Sequence, residues 1–177
     1  YGTTTEARAE GEAFAAFLTP IAKAFFSDRG LECCVLAQQV LGGHGYLAEW
    51  GLEQCVRDTR IAQIYEGTNG IQAMDLVGRK LPMREGGVMG DLLVEMAAID
   101  SDLAAAGEDF VTIRSGLADA RSAMEEATSW LMAHGLADPN DALAGATPYL
   151  RMFGQLAGGW LLARLALGAR RRLDAGE

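Results

Sequence analysis

Apolar residues recur at alternating spacings of three and four from Leu92 to His134, and that period leaves room for little besides paired helices. Leu92, Met96, Ile99, Leu103 and Ala106 set the pattern; Phe110, Ile113, Leu117, Ala120, Met124, Ala127, Leu131 and His134 continue it. A repeat near 3.5 residues puts all of them on one stripe, the seam of an antiparallel helix pair. Elsewhere Val, Ile and Thr never gather into alternating runs, and half of the 177 residues are hydrophobic. The sequence therefore predicts an all-α protein rather than a disordered or β-rich one. A chain of this size buries about 70% of its unfolded surface, enough for a sizeable core.

The chain divides at Pro82. Pro82-Met83-Arg84-Glu85-Gly86-Gly87 joins a proline to a glycine pair with charges between, which reads as a turn. The expected organisation is a helical bundle over 1–82, a link over 83–90 and an antiparallel helical extension over 91–177. In the first part, a helix from Thr4 to Ser27 carries Phe14, Phe17, Leu18, Ile21 and Phe25 on one face, with a kink expected at Pro20. Ser27-Asp28 is the expected N-cap of a second helix bearing Leu31, Val35, Leu36 and Val40, which Gly42-Gly43-His44-Gly45 ends. A short helix is expected from Leu52 to Gln63. Asn69 and Gln72 have capping-box spacing before a helix that continues to Leu81. The last helix is expected from Thr147 to Leu173, with Gly154, Gly158 and Gly159 marking close packing.

Fifteen Lys and Arg against twenty-four Asp and Glu give a net charge of −9, which disfavours a broad nucleic-acid surface. Arg164, Arg170, Arg171 and Arg172 suit the C-terminal end of a helix dipole. No apolar run is long enough to span a membrane, and no signal peptide is visible. Cys33, Cys34 and Cys55 lack a disulfide framework, which fits reduced thiols in a cytoplasmic protein. His44 and His134 have no ligand-spaced partners, so no metal site is expected. The start at Tyr1 rather than Met reads as a processed product or a piece of something longer.

Tyr65-Glu66-Gly67-Thr68 is the stretch richest in chemistry. It sets a carboxylate between an aromatic ring and a glycine in a short break between helices. The ring screens one side from water, and the glycine leaves room for a flat ligand. Burial beside apolar groups disfavours the charged form of a carboxylate and strengthens it as a base. Taken alone, Glu-Gly-Thr before a helix is ordinarily a solvated turn.

Two blocks together carry more. Gln39-Val40-Leu41-Gly42-Gly43-His44-Gly45-Tyr46, followed by Arg57-Asp58 and Ile64-Tyr65-Glu66-Gly67-Thr68-Asn69-Gly70-Ile71-Gln72, closely resembles the C-terminal helical domain of acyl-CoA dehydrogenases in wording, order and separation. The resemblance implies that Glu66 is a catalytic base, removing the proton next to a thioester carbonyl while FAD takes a hydride from the adjacent carbon. It implies that Gln39, Gly42, Gly43 and Thr68 contact FAD, held mainly by an adjacent subunit, and that Tyr65 and Gly67 line the acyl-CoA cavity. It further implies an electron-transfer flavoprotein as acceptor and a homo-oligomer, dimer or tetramer. Arg57 and Asp58 read as an ion pair shaping the loop. Gly70 stands where some members carry a polar residue. The part after Leu81 matches a branch with an additional C-terminal helical segment. Nothing reads as the β-domain of whole family members, so isolated activity is expected to be negligible. The competing reading is a non-catalytic helical interaction module, which would have no reason to keep Glu66 between Tyr65 and Gly67.

Overall fold

A computed structural model describes residues 4–135 and 137–176, so Tyr1–Thr3, Leu136 and Glu177 of the expected segments lie outside the described residues. Every regular element among the described residues is helical, and they fall into two compact units, Tyr1–Leu76 and Val77–Glu177.

The first unit is built on α1, Thr5–Val40. Thr4 caps it, its side-chain oxygen accepting from the Ala7 amide at 3.2 Å. Its 36 residues run about 54 Å at about 1.5 Å per residue. The break expected at Ser27-Asp28 does not occur. The Ser27 hydroxyl donates back to the Lys23 carbonyl at 2.7 Å, and the Asp28 carboxylate accepts from Gln63 and Asn69, so neither caps a new helix. The helix also continues through Pro20. An interior proline costs about 3 kcal/mol, but Phe17, Pro20, Ile21 and Ala24 form the buried face, and packing outweighs the lost hydrogen bond. Two 3-10 turns, Gly42–Tyr46 and Ala48–Trp50, then lead into α2, Leu52–Ala62. Arg57 pairs with Glu53 one turn back, not with Asp58. Helix α3 is Asn69–Asp75, passing into a π turn at Leu76–Lys80 rather than running as α-helix to Leu81. Both α2 and α3 pack on α1.

The second unit opens on an unusual turn. Arg84, Glu85 and Gly86 are consecutive left-handed residues, with φ of 54°, 57° and 86°. Arg84 is held by Asp91 at 3.0 Å, and a side chain at Gly86 would meet the Met132 methyl. Helix α4 then starts at Gly87 and runs to Ala97, so residues 87–90 of the expected link are helical. It is followed by α5, Ile99–Ala105; α6, Val111–His134; α7, Pro139–Ala144; and α8, Ala146–Ala175.

Helices α6 and α8 are antiparallel: Thr128 shares a 2.8 Å hydrogen bond with Tyr149, while Leu117 lies against Gly159. Leu92, Met96, Ile99, Leu103, Phe110, Met124 and Leu131 of the expected seam are buried. Ile113 and Ala120 instead lie exposed. These two positions, one heptad apart, face the open groove between α6 and α8. Ile99, Leu103, Phe110, Ala163 and Leu167 close the core at the far end. Above it Arg114 grips Asp100 with two bonds of 2.7 and 2.8 Å, and this guanidinium holds the Asp100 carboxyl below the usual carboxylate range.

Burial pushes the Tyr149 phenol up to about 12, and the bond to Thr128 pulls weakly the other way. The folded value lies above that of the unfolded chain. The neutral phenol's contribution to stability is therefore complete below about pH 10 and is lost as the pH rises to about 12. Chemical denaturation followed across that range is expected to show stability falling. In Tyr149→Phe the fall is expected to be shallower by the share this phenol supplies.

Candidate functional site

The Tyr65–Thr68 turn is defined by its backbone. Glu66 has φ +53° and Gly67 φ +81°, two left-handed residues in succession. For glutamate that region costs on the order of 1 kcal/mol, so the surroundings must hold it there. They do so from both sides. On the α3 side the Gln72 amide nitrogen donates to the Glu66 carbonyl at 3.0 Å, and a Cβ at Gly67 would come within 3.2 Å of that same nitrogen. On the α1 side Lys23 Nζ donates to the Gly67 carbonyl and to Asn69 Oδ1, each at 2.8 Å.

Asn69 is the hub. Its backbone N–H donates to the Gln63 carbonyl at 3.1 Å, closing the turn onto the end of α2. Its side-chain amide donates to Asp28 Oδ1 at 2.7 Å and to the Ser27 hydroxyl at 2.9 Å. Ser27 directs its own proton to the Lys23 carbonyl, which leaves its oxygen free to accept. Gln63 completes the ring by donating to Asp28 at 2.7 Å. Asn69 therefore does not act as the cap of α3 with Gln72 as partner. Thr68 is the cap, accepting from the Ile71 amide at 3.4 Å, because both side chains of the expected box are committed to the turn.

The side chains of Glu66, Tyr65 and Thr68 are exposed, and Gly67 is exposed to solvent as well. Tyr65 is half exposed, so the shielding of Glu66 expected from its ring is not supplied within this chain. The turn fixes where the carboxylate leaves the backbone and projects it outward.

The second block lies at the C-terminal end of α1, while the turn contacts the middle of that helix. The stretch of that helix from Lys23 to Gln39 is about 24 Å long, so these residues do not bring Gln39 and Glu66 into one pocket. Gln39 is exposed; its neighbour Gln38 holds the glycine turn, donating to the Gly45 carbonyl at 3.2 Å. Gly45 is buried and has no room for a side chain: a Cβ there would lie 2.4 Å from the Gln38 carbonyl oxygen. Gly42, at φ +55°, and Gly43 have nothing within 4 Å of where a Cβ would stand. Their backbone is open to close approach by a ligand, as a diphosphate contact requires. Sequence reasoning missed Lys23, Ser27 and Asp28, which lie 44, 42 and 41 residues from their partners in the turn. It missed Gln63 too, whose side chain acts through Asp28 on a different helix. Among the described residues no cluster of His, Cys, Asp and Glu offers a metal site, and no helix is long and apolar enough to cross a membrane.

Residues 3–81 match the family model for the acyl-CoA dehydrogenase C-terminal domain, and residues 92–177 match that for acetyl-CoA dehydrogenase C-terminal-like regions. The 3-methylmercaptopropionyl-CoA dehydrogenase of Ruegeria pomeroyi is 43% identical over 172 residues, which is 97% of this chain and 29% of that protein. The broad-specificity linear acyl-CoA dehydrogenase FadE5 of Mycobacterium tuberculosis is 30% identical over 90% of this chain and 27% of its own length. A butyryl-CoA dehydrogenase of Syntrophomonas wolfei is 32% identical over 89% of this chain and 26% of its own length. The chain belongs to the acyl-CoA dehydrogenase family, matching its C-terminal helical region. It spans less than a third of the length of these relatives.

Asn69→Ala removes the hub and takes one hydrogen bond each from Asp28, Ser27 and Lys23, leaving Asp28 with Gln63 and Lys23 with the Gly67 carbonyl. Losses of this kind cost about 1–3 kcal/mol. Amide hydrogen exchange at residues 65–69 is expected to accelerate by about tenfold or more relative to α1, the equivalent of about 1.4 kcal/mol. Equal exchange in variant and parent would show that the turn is held by other means.

Proposed function

We propose that this chain carries the catalytic-base segment of a flavin-dependent acyl-CoA dehydrogenase. The observation that carries the reading is the turn itself: a glutamate kept in left-handed backbone geometry by hydrogen bonds from both α1 and α3. Strain of this sort marks sites where a side chain must leave the backbone in one fixed direction.

In this reading the Glu66 carboxylate takes the proton from the carbon next to the thioester carbonyl. That proton is weakly acidic, so the negative charge passing to the carbonyl oxygen needs hydrogen-bond donors, and the base needs dry surroundings. Tyr65 and Gly67 line the acyl-CoA cavity, with the Cβ side of Gly67 taken by Gln72 and Ile71. Bound FAD supplies the hydride acceptor for the neighbouring carbon. Gln39, Gly42, Gly43 and Thr68 would hold it, and the open glycine backbone fits a diphosphate. That the two blocks contact different stretches of α1 accords with a cofactor shared between subunits. The product would be a trans-2-enoyl-CoA, with an electron-transfer flavoprotein as acceptor and a dimer or tetramer as the working form. The cover over Glu66 would come from the rest of a full-length protein of its relatives' size, or from a neighbouring subunit.

Glu66→Gln in the full-length enzyme keeps the shape and removes the base. Its kcat for acyl-CoA dehydrogenation is expected to fall by about 10² or more, with flavin absorbance and acyl-CoA binding retained. A variant that keeps its rate transfers the role to another residue. The 177-residue chain alone is expected to show no turnover with acyl-CoA and an artificial electron acceptor, since it holds the base without the closed cavity.

A further inference from the structure

Gly67 is the residue of the turn that cannot be stiffened from within. Its φ of +81° strains any residue with a side chain. A Cβ there would also meet the Gln72 amide nitrogen at 3.2 Å, and that nitrogen is committed to the Glu66 carbonyl. Both constraints select glycine, which has the widest choice of backbone conformations of any residue. A residue this free, directly after Glu66, leaves the direction of the carboxylate open unless a group outside the turn holds the Gly67 peptide.

Lys23 is that group. Its half-buried side chain crosses from α1, and Nζ donates to the Gly67 carbonyl and to Asn69 Oδ1, each at 2.8 Å. Gln72 pins the peptide before Gly67 through the Glu66 carbonyl, and Lys23 pins the peptide after it. Two acceptors converging on one nitrogen suit an ammonium, a compact charge with three donors; the planar fork of arginine spreads its donors apart. The same contact orients Asn69. Lys23 can only donate and the Asp28 carboxylate can only accept, so Asn69 turns Oδ1 to the first and Nδ2 to the second, at 2.8 and 2.7 Å. An amide thus bridges a cation and an anion carried on one helix, and Lys23 is kept at the turn from two directions.

We propose that Lys23 is a positioning residue for proton transfer to Glu66, acting through the Gly67 peptide rather than on the substrate. The proposal rests on the reading of Glu66 as the base. Proton abstraction requires the carboxylate in near-attack geometry, and a misplacement of about 1 Å costs up to about a hundredfold in rate. Helices α1 and α3 also pack on each other directly. Loss of the Lys23 bond therefore loosens the turn while leaving the two helices together, and its effect falls on the base before it falls on the fold.

The test uses the full-length, flavin-loaded enzyme and follows flavin reduction by acyl-CoA after rapid mixing. Lys23→Met keeps a long stem and removes the donors. Its limiting reduction rate is expected to fall by about ten- to a hundredfold, at the parent's half-saturating acyl-CoA concentration and flavin absorbance. Deuterium on the carbon beside the thioester carbonyl is expected to slow the variant more than the parent. A parental rate would overturn the proposal, as would a loss that comes with weaker acyl-CoA binding and an unchanged isotope effect. Glu66→Gln is run beside it. If Glu66→Gln loses the rate and Lys23→Met keeps it, the base stands and the role of Lys23 alone falls. If Glu66→Gln keeps the rate, the base assignment falls and takes this proposal with it. Should Lys23→Met fail to fold, Lys23→Arg decides. It keeps the charge but not the convergence on one atom, so its limiting rate is expected to drop with binding held, and a parental rate there would refute the proposal.

Discussion

The hydrogen bond from Lys23 to the Gly67 carbonyl, shared with Asn69, is the contact on which the candidate site depends. A turn with two left-handed residues is a poor resting state for a chain containing glutamate, and few apolar contacts are available there to hold it. What holds it is polar. An ammonium bridges a backbone carbonyl and an amide oxygen, and the same amide reaches two more side chains on α1. Such networks confer direction rather than bulk stability, since every member must be satisfied for any one to be favourable. This explains why α1 has to run unbroken past Ser27. Lys23, Ser27 and Asp28 lie within two turns of one helix, and a break there would separate the three groups that grip Asn69.

Much of the fold was legible in the sequence because it is periodic. The stripe from Leu92 to Leu131 located α4 to α6, and the limits of α2 came within a residue of those expected. Failures came where one local signal competed with a distant partner. Ser27-Asp28 has the letters of a helix cap, but both side chains answer to Asn69, 42 and 41 residues away. Asn69 and Gln72 have capping-box spacing, yet each is drawn off to the turn. Pro20 reads as a kink, but burial against the core of the first unit prevails. Arg57 had a neighbour of opposite charge at Asp58 and took Glu53 instead, since i and i+4 share a helix face where i and i+1 do not.

The candidate site divides in the same way. Tyr65, Glu66, Gly67 and Thr68 stand together in one turn because they are adjacent in the chain. The glycine block is legible as an open backbone, and Gly45 as a position closed to any side chain only once Gln38 is placed beside it. No pattern in the sequence pointed to Lys23, whose role exists only once α1 and the turn are side by side. The exposure of Glu66 is equally beyond a local reading, which saw an aromatic neighbour and expected cover. Within this chain the carboxylate is aimed but not enclosed, as befits a segment covering less than a third of the length of its relatives.

A structure of the full-length protein with a bound acyl-CoA analogue would show whether Glu66 reaches the reacting carbon. A Glu66 carboxylate oxygen is expected within about 3.5 Å of the carbon beside the thioester carbonyl, its backbone still left-handed and Gly67 still bonded to Lys23. A Glu66 side chain left in open solvent, with the thioester seated elsewhere, would contradict the assignment of the base.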